Sequence, residues 1–161
     1  MIYSDLVICT PESNNENIVS DDIPQCVIEF RQERTSRISR CDPLSNSREH
    51  ILGANISQLV IVSSYQAPLI KWGLIDRYLV QAEHENIEVV IILNKLDLIT
   101  DSISKKSLDH LKKMERIYTD LKYRIYKISA TSQEDKEANK KMLEDIFRNN
   151  ISLITGHSGV G

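Results

Sequence analysis

Apolar positions follow two rhythms along the chain. Up to about residue 50 they come in short patches between polar stretches. Residues 3–9, 25–30 and 36–40 are each of strand length. The segment PESNNENIVSDD between the first two is rich in turn formers and reads as a loop. From about residue 55, strand-like and helix-like patterns alternate. Residues 58–64 form a buried-strand candidate, and Leu74, Ile75, Tyr78, Leu79 and Ala82 then share one helical face. Residues 89–94 are nearly all apolar, as strands covered on both faces are. Ser102 or Ser104 caps the next helix, with Leu108, Leu111, Met114, Tyr118 and Leu121 as its inward stripe. Residues 124–129 are a third strand. Met142, Leu143, Ile146 and Phe147 mark a third helix, and residues 151–155 are a fourth strand.

This alternation predicts a parallel α/β sheet with right-handed crossovers, preceded by a β-rich segment. Ligands of such sheets bind at the carboxyl ends of the strands. The composition adds limits. In 161 residues, 41% are hydrophobic and 27% charged, as in an ordinary globular protein. The net charge of −3 argues against a basic, chain-wide nucleic-acid binder. The longest apolar runs, QLVIV and VVIIL, are too short to cross a bilayer as helices, so no membrane role is expected. The start, MIYSDLVICTPES, lacks the basic end and apolar core of a signal peptide, and a cytoplasmic location is the expectation. Cys9, Cys26 and Cys41 fit no zinc spacing and read as free thiols.

Three motifs lie at three strand ends. Asn94-Lys95-Leu96-Asp97 follows the second strand of the α/β part. Guanine presents two adjacent donors, N1–H and the 2-amino group, and one carboxylate at Asp97 can accept both. Adenine has no such pair and would leave that carboxylate unpaired. Asn94 would brace the loop and reach the base edge, and the Lys95 stem would cover the ring face. Taken alone, the four residues also fit a polar turn. Ile128-Ser129-Ala130-Thr131 follows the third strand. There the Ala130 N–H would reach the guanine 6-oxo group, and Ser129 would brace Asp97. Gly156-His157-Ser158-Gly159-Val160-Gly161 follows the fourth strand and matches the first six positions of a phosphate loop, G-x-x-x-x-G-K-[ST]. Its N–H groups would form an anion nest, with glycines permitting close approach. A flexible glycine tail is the alternative for that stretch alone. The concurrence of the three motifs points to a bound GTP or GDP.

Arg31, Arg34, Arg37 and Arg40 recur at three-residue intervals. They could contact RNA phosphates or form a solvated face interrupted by Glu29 and Glu33. His157 reads as a tolerated variable position of the phosphate loop. Trp72 reads as packing rather than base stacking.

The motif order is guanine motif, Ser-Ala motif, phosphate loop. That is a circular permutation of the usual order, tolerated where termini lie close together at the surface. With HILGANISQL (50–59), LIDRYL (74–79), NKLDL (94–98) and GHSGVG (156–161), the chain resembles the RsgA or YjeQ family of small ribosomal subunit-dependent GTPases. Ser63-Ser64-Tyr65 replaces the Asp-Ala-Arg that other permuted GTPases carry after the first strand. The resemblance implies an incomplete P-loop GTPase parallel sheet at 51–161, ending within the phosphate loop, after a partial OB-fold-like β module at 1–50. It implies guanine-nucleotide binding, GTP hydrolysis stimulated by the 30S subunit and a role in late maturation of that subunit, with 16S rRNA as a partner. Asn94, Lys95 and Asp97 would read guanine, Ser129 and Ala130 would support the base, and residues 156–161 would hold phosphate.

The family's lysine and magnesium-binding hydroxyl, Asp-x-x-Gly motif, hydrolytic histidine and zinc ligands have no counterpart in residues 1–161. Mg2+ and a structural Zn2+ are therefore expected only in a longer parent protein, and no catalytic residue is assigned here. The expectation is a fragment that is not hydrolytic by itself, with a non-catalytic rRNA- or partner-binding module as the alternative. Its four-stranded sheet would leave the phosphate-loop strand at an edge.

Overall fold

The computed structural model describes residues 5–11, 26–42, 45–99 and 104–161, with backbone only at 11, 41–42 and 45–48. The chain divides into two compact units, Met1–Asn55 and Ile56–Gly161. Cys41, Ser102, residues 3–4 and the predicted loop after Pro11 lie outside what can be described in full.

The first unit contains two antiparallel strand pairs. In one, β1 (Val7–Pro11) pairs with β2 (Cys26–Arg31). In the other, β3 (Arg37–Asp42) pairs with β4 (Ser45–Ala54). The 10-residue β4 is a correction, because its SNSREH half shows no apolar alternation. Pairing with β3 makes it a strand. The first strand also runs later than the pattern of residues 3–9 indicates. Near the end of this unit the Asn55 side chain accepts from Thr35 N–H at 2.9 Å, with φ of 53° at Asn55 itself.

The second unit is a four-stranded parallel sheet in the order β7-β6-β5-β8, with β5 at Gln58–Ser64, β6 at Glu88–Asn94, β7 at Arg124–Lys127 and β8 at Ser152–Gly156. Between them run α1 (Trp72–His84), α2 (Lys105–Asp120) and α3 (Lys136–Phe147). Ser104 caps α2, its Oγ accepting from Ser107 N–H at 3.2 Å. Alternate residues of the two central strands serve opposite faces. Val60, Val90 and Ile92 pack with Ile128 and with Ile146, Met142, Leu143 and Phe147 of the α3 side. Leu59, Ile61, Val89, Ile91 and Leu93 are buried on the other face, where α1 packs on β5 and β6. Two-sided burial explains why these strands read as unbroken apolar runs.

Three tyrosines tie the elements of this unit by donating to carboxylates. Tyr65 donates to Glu115 at 2.6 Å, Tyr118 to Asp76 at 2.7 Å and Tyr123 to Glu83 at 2.8 Å. Burial, reinforced by the Glu115 bond, pushes the Tyr65 hydroxyl far above its ordinary pKa. It therefore remains a donor. Trp72 packs on Tyr118 with ring centroids 5.6 Å apart. Leu121 departs from the predicted stripe. It is the C-cap of α2 and is 62% exposed, because the chain has already left the helical register there.

Chain order and spatial order part company at β8. The strands β5, β6 and β7 step outward in one direction, and β8 then returns to the far side of β5. A crevice opens at the carboxyl ends of strands where such a reversal occurs. Among the described strands β8 is an edge, and its Ile154 is exposed.

Candidate functional site

The three motifs converge at this carboxyl end. β6 delivers Asn94 as its last residue, buried to 4% exposure. Its amide joins three loops. Nδ2 donates to the Val160 carbonyl at 2.9 Å, and Oδ1 accepts from Lys95 N–H at 2.7 Å and from Ala130 N–H at 3.1 Å. The chain then turns sharply. Lys95 has φ of 62° and Leu96–Leu98 form a 3-10 turn, which leaves Asp97 exposed at the rim.

Lys95 Nζ donates to the Gly159 carbonyl at 2.6 Å and to the Ala67 carbonyl. Its stem thus spans from the guanine motif to the phosphate loop. Ser129 Oγ donates to Asp97 Oδ1, and the Ser129 carbonyl accepts from Asn139 Nδ2 of α3 at 3.2 Å. The Ser129 brace on Asp97 is thus present. The Ala130 N–H differs from its expected role of facing a ligand, since it is turned onto Asn94.

The phosphate loop leaves β8 beside β5. A side chain at Gly156 would collide with the Val62 carbonyl oxygen, so glycine is what lets β8 pass there. Gly159 adopts φ of 84°, where only glycine is unstrained. Val160 turns inward and is buried. A cleft of about 220 Å³ is lined by Asn94, Lys95, Asp97, Ala130, Thr131, Gly159 and Gly161. A second concavity of about 440 Å³ follows the loop from Gly156 to Gly161 against Val62 and Ile154. His157 and Ser158 border that second concavity and not the first. Thr131, the last residue of the Ser-Ala motif, lines the first cleft, while the Ala67 carbonyl and Lys71, which touches His157, belong to this region without a sequence signal. These two are distant in the chain and carry no motif.

The sequence model of the RsgA GTPase family matches residues 31–161. The chain belongs to the RsgA GTPase family. It is 38% identical over 135 residues to the small ribosomal subunit biogenesis GTPase RsgA of Serratia proteamaculans, covering 84% of this chain and 36% of that protein. Among solved structures it resembles YjeQ of Thermotoga maritima, with a TM-score of 0.66 and 27% identity, over 100% of this chain and 48% of the other. YloQ, a circularly permuted GTPase, shares the fold with a TM-score of 0.62 and 24% identity, over 98% of this chain and 46% of the other. The chain therefore spans between about a third and a half of the length of these RsgA-like proteins. YloQ is described as circularly permuted, and in this chain too the G-x-x-x-x-G stretch at 156–161 follows the N-K-x-D stretch at 94–97.

The arginine series is divided by its partners. Arg34 grips the buried Asp5 carboxylate with two bonds of 2.7 and 3.0 Å. Arg31 lies 3.9 Å from the same carboxylate, and Arg37 lies 3.7 Å from Glu49. Arg40 is exposed in β3. Cys9 and Cys26 are free and exposed. Among the described residues no group of His, Cys, Asp or Glu is placed to hold a metal ion, and no helix is long and apolar enough to cross a membrane.

Proposed function

We propose that this chain is the base-reading and phosphate-cradling portion of a GTPase acting in late maturation of the small ribosomal subunit. The observation that carries the reading is Asn94, whose one amide holds the guanine motif, the Ser-Ala loop and the phosphate loop around one cleft. The acceptor at Asp97 suits a guanine base, and Ala130 lines the same cleft with its N–H held by Asn94. The exposed Asp97 carboxylate is held by Ser129 through one oxygen only, and a carboxylate has acceptor sites to spare. It can take both guanine donors. The glycine cradle at Gly156 and Gly159 suits close approach of an anion to the backbone.

The assigned binding residues are Asn94, Lys95, Asp97, Ser129, Ala130 and residues 156–161. The name of the Serratia relative supports the ribosomal assignment. Residues 1–50 are read as the partial OB-like module and 51–161 as the GTPase portion. Phosphoryl transfer relies on a lysine and magnesium at the phosphates. Residues 1–161 contain no G-K-[ST] lysine, and a polypeptide of these residues alone is expected to bind guanine nucleotide without appreciable turnover. Titration with fluorescent GDP and ADP tests the reading. GDP binding well above ADP, lost in Asp97→Ala, supports it. Equal affinity for both removes Asp97 from its role.

A further inference from the structure

Three consecutive carbonyls of the phosphate loop are met by side chains, two from outside the loop and one from within it. Asn94 Nδ2 donates to Val160 O at 2.9 Å, and Lys95 Nζ donates to Gly159 O at 2.6 Å. The third carbonyl, Ser158 O, lies 2.9 Å from Nδ1 of His157. The other ring nitrogen, Nε2, lies 2.8 Å from Nζ of Lys71, the N-cap residue of α1. An ammonium group has only donors to offer. Nε2 must therefore be the acceptor, which places the ring proton on Nδ1, where it is donated to Ser158 O. The two contacts demand the same tautomer and so reinforce each other.

In a trans peptide the carbonyl and the following N–H point in opposite directions. Holding Ser158 O turns the Gly159 N–H away from His157. Holding Val160 O likewise turns the Gly161 N–H away from Asn94. The Val160 N–H closes back on His157 O at 3.3 Å and is used within the loop. The Gly159 and Gly161 N–H groups take no protein partner among the described residues. They are among the donors left for an anion.

We propose that Lys71 and His157 are positioning residues of the phosphate loop. Lys71 fixes the His157 tautomer, and the His157 ring holds the Ser158 carbonyl so that the Gly159 N–H faces the phosphate. The identity of the ligand rests on the guanine-nucleotide reading, but the relay itself does not. His157 sits at a position that tolerates many residues in phosphate loops. In this chain its partner lies 86 residues away, at the start of α1. The contact therefore couples α1 to the loop without touching the base.

Two measurements test the relay. The first is ¹⁵N NMR of the His157 ring in the unmodified chain. The expected signature is a protonated Nδ1 and an unprotonated Nε2. Lys71→Met should release the ring to a mixture of tautomers, and Lys71→Arg should preserve the wild-type signature. An Nε2–H ring in the unmodified chain overturns the proposal, and so does a signature indifferent to Lys71→Met.

The second measurement compares GDP with guanosine. Lys71→Met and His157→Phe should each weaken GDP by roughly tenfold, the scale of one charge-assisted hydrogen bond, and leave guanosine unchanged. Unchanged GDP affinity in both variants overturns the positioning role. Failure of the unmodified chain to prefer GDP over ADP overturns the guanine reading instead, and the tautomer result then decides the relay by itself.

Discussion

Asn94 and Val160 are 66 residues apart in the chain and are joined by a buried 2.9 Å hydrogen bond from the Asn94 amide to the Val160 carbonyl. The bond connects the loop that would read the base to the loop that would hold the phosphates. Asn94→Ala removes it together with the two bonds accepted by Oδ1, and leaves buried polar groups without partners. The expected loss is about 2–3 kcal/mol of stability, measured by urea denaturation. Asn94→Asp separates the two roles. It keeps the acceptor for Lys95 and Ala130 but cannot donate to Val160, and it sets a carboxylate against a carbonyl. GDP affinity should fall more than guanosine affinity in that variant, and equal losses would show that the Val160 bond does not organise the phosphate side.

Asp97 and Ser129 give a second prediction. Asp97→Asn keeps the size of the side chain but replaces one acceptor with a donor that opposes the guanine 2-amino group. GDP affinity should fall by about a hundredfold or more, the scale reached when a hydrogen-bonding site meets a mismatched partner. Xanthosine diphosphate carries an oxo group at that position and should lose far less, or gain. Ser129→Ala leaves the carboxylate in place but unbraced, so a loss of roughly fivefold is expected. Equilibrium titration with the two diphosphates checks both. A fall of the same size for GDP and xanthosine diphosphate would indicate general damage to the loop, not base reading.

The parts of this fold that were legible in sequence are those where one local pattern decides the outcome. The bounds of β5 are legible because all of its residues, Gln58–Ser64, are buried except half-buried Val62. α3 was visible from Met142, Leu143, Ile146 and Phe147, which all meet the sheet core. β4 was not legible. Its first half is polar, and its pairing with β3, Arg40 with His50, Cys41 with Glu49 and Asp42 with Ser45, gives it strand geometry. The motif letters located the candidate site, but not its wiring. The turn of the Ala130 N–H onto Asn94 and the reach of Lys95 to Ala67 depend on tertiary approach, which leaves no periodic trace. The contact of Lys71 with His157 is the extreme case, since His157 stands at a variable position of its motif and Lys71, 86 residues away, belongs to none.

Gly156 makes a purely steric prediction. β8 pairs with β5 so that Val62 lies opposite Gly156, and a methyl group there would meet the Val62 carbonyl. Backbone cannot move aside as a side-chain tip can. Gly156→Ala should cost about 1–3 kcal/mol, as overpacking of a tight contact does. Hydrogen-exchange protection should drop at the end of β8 more than at β6. Gly73, where an added Cβ would meet nothing within 4 Å, is the matched control. Gly73→Ala should be neutral or slightly stabilising, because alanine is the better helix former. Equal behaviour of the two variants in thermal unfolding would contradict the close approach of β8 to β5.

The arginines can be separated by what each already holds. Arg34 is committed to Asp5, whose carboxylate is fully covered, and Arg40 is exposed with no carboxylate partner among the described residues. Removing Arg34 takes the two close bonds from a buried carboxylate and leaves Arg31 at 3.9 Å, so Arg34→Ala should destabilise the first unit. Its effect on RNA affinity at matched folding should be small, because a guanidinium already neutralised releases few counterions. If the first unit contacts rRNA, Arg40→Ala should weaken binding uniformly across sequences. It should also reduce the slope of log affinity against log salt by about 1. Filter binding to small-subunit rRNA over a salt series distinguishes the two. A slope lowered by Arg34→Ala and untouched by Arg40→Ala would reverse the assignment, making the Asp5 contact a resting state and Arg34 the nucleic-acid ligand.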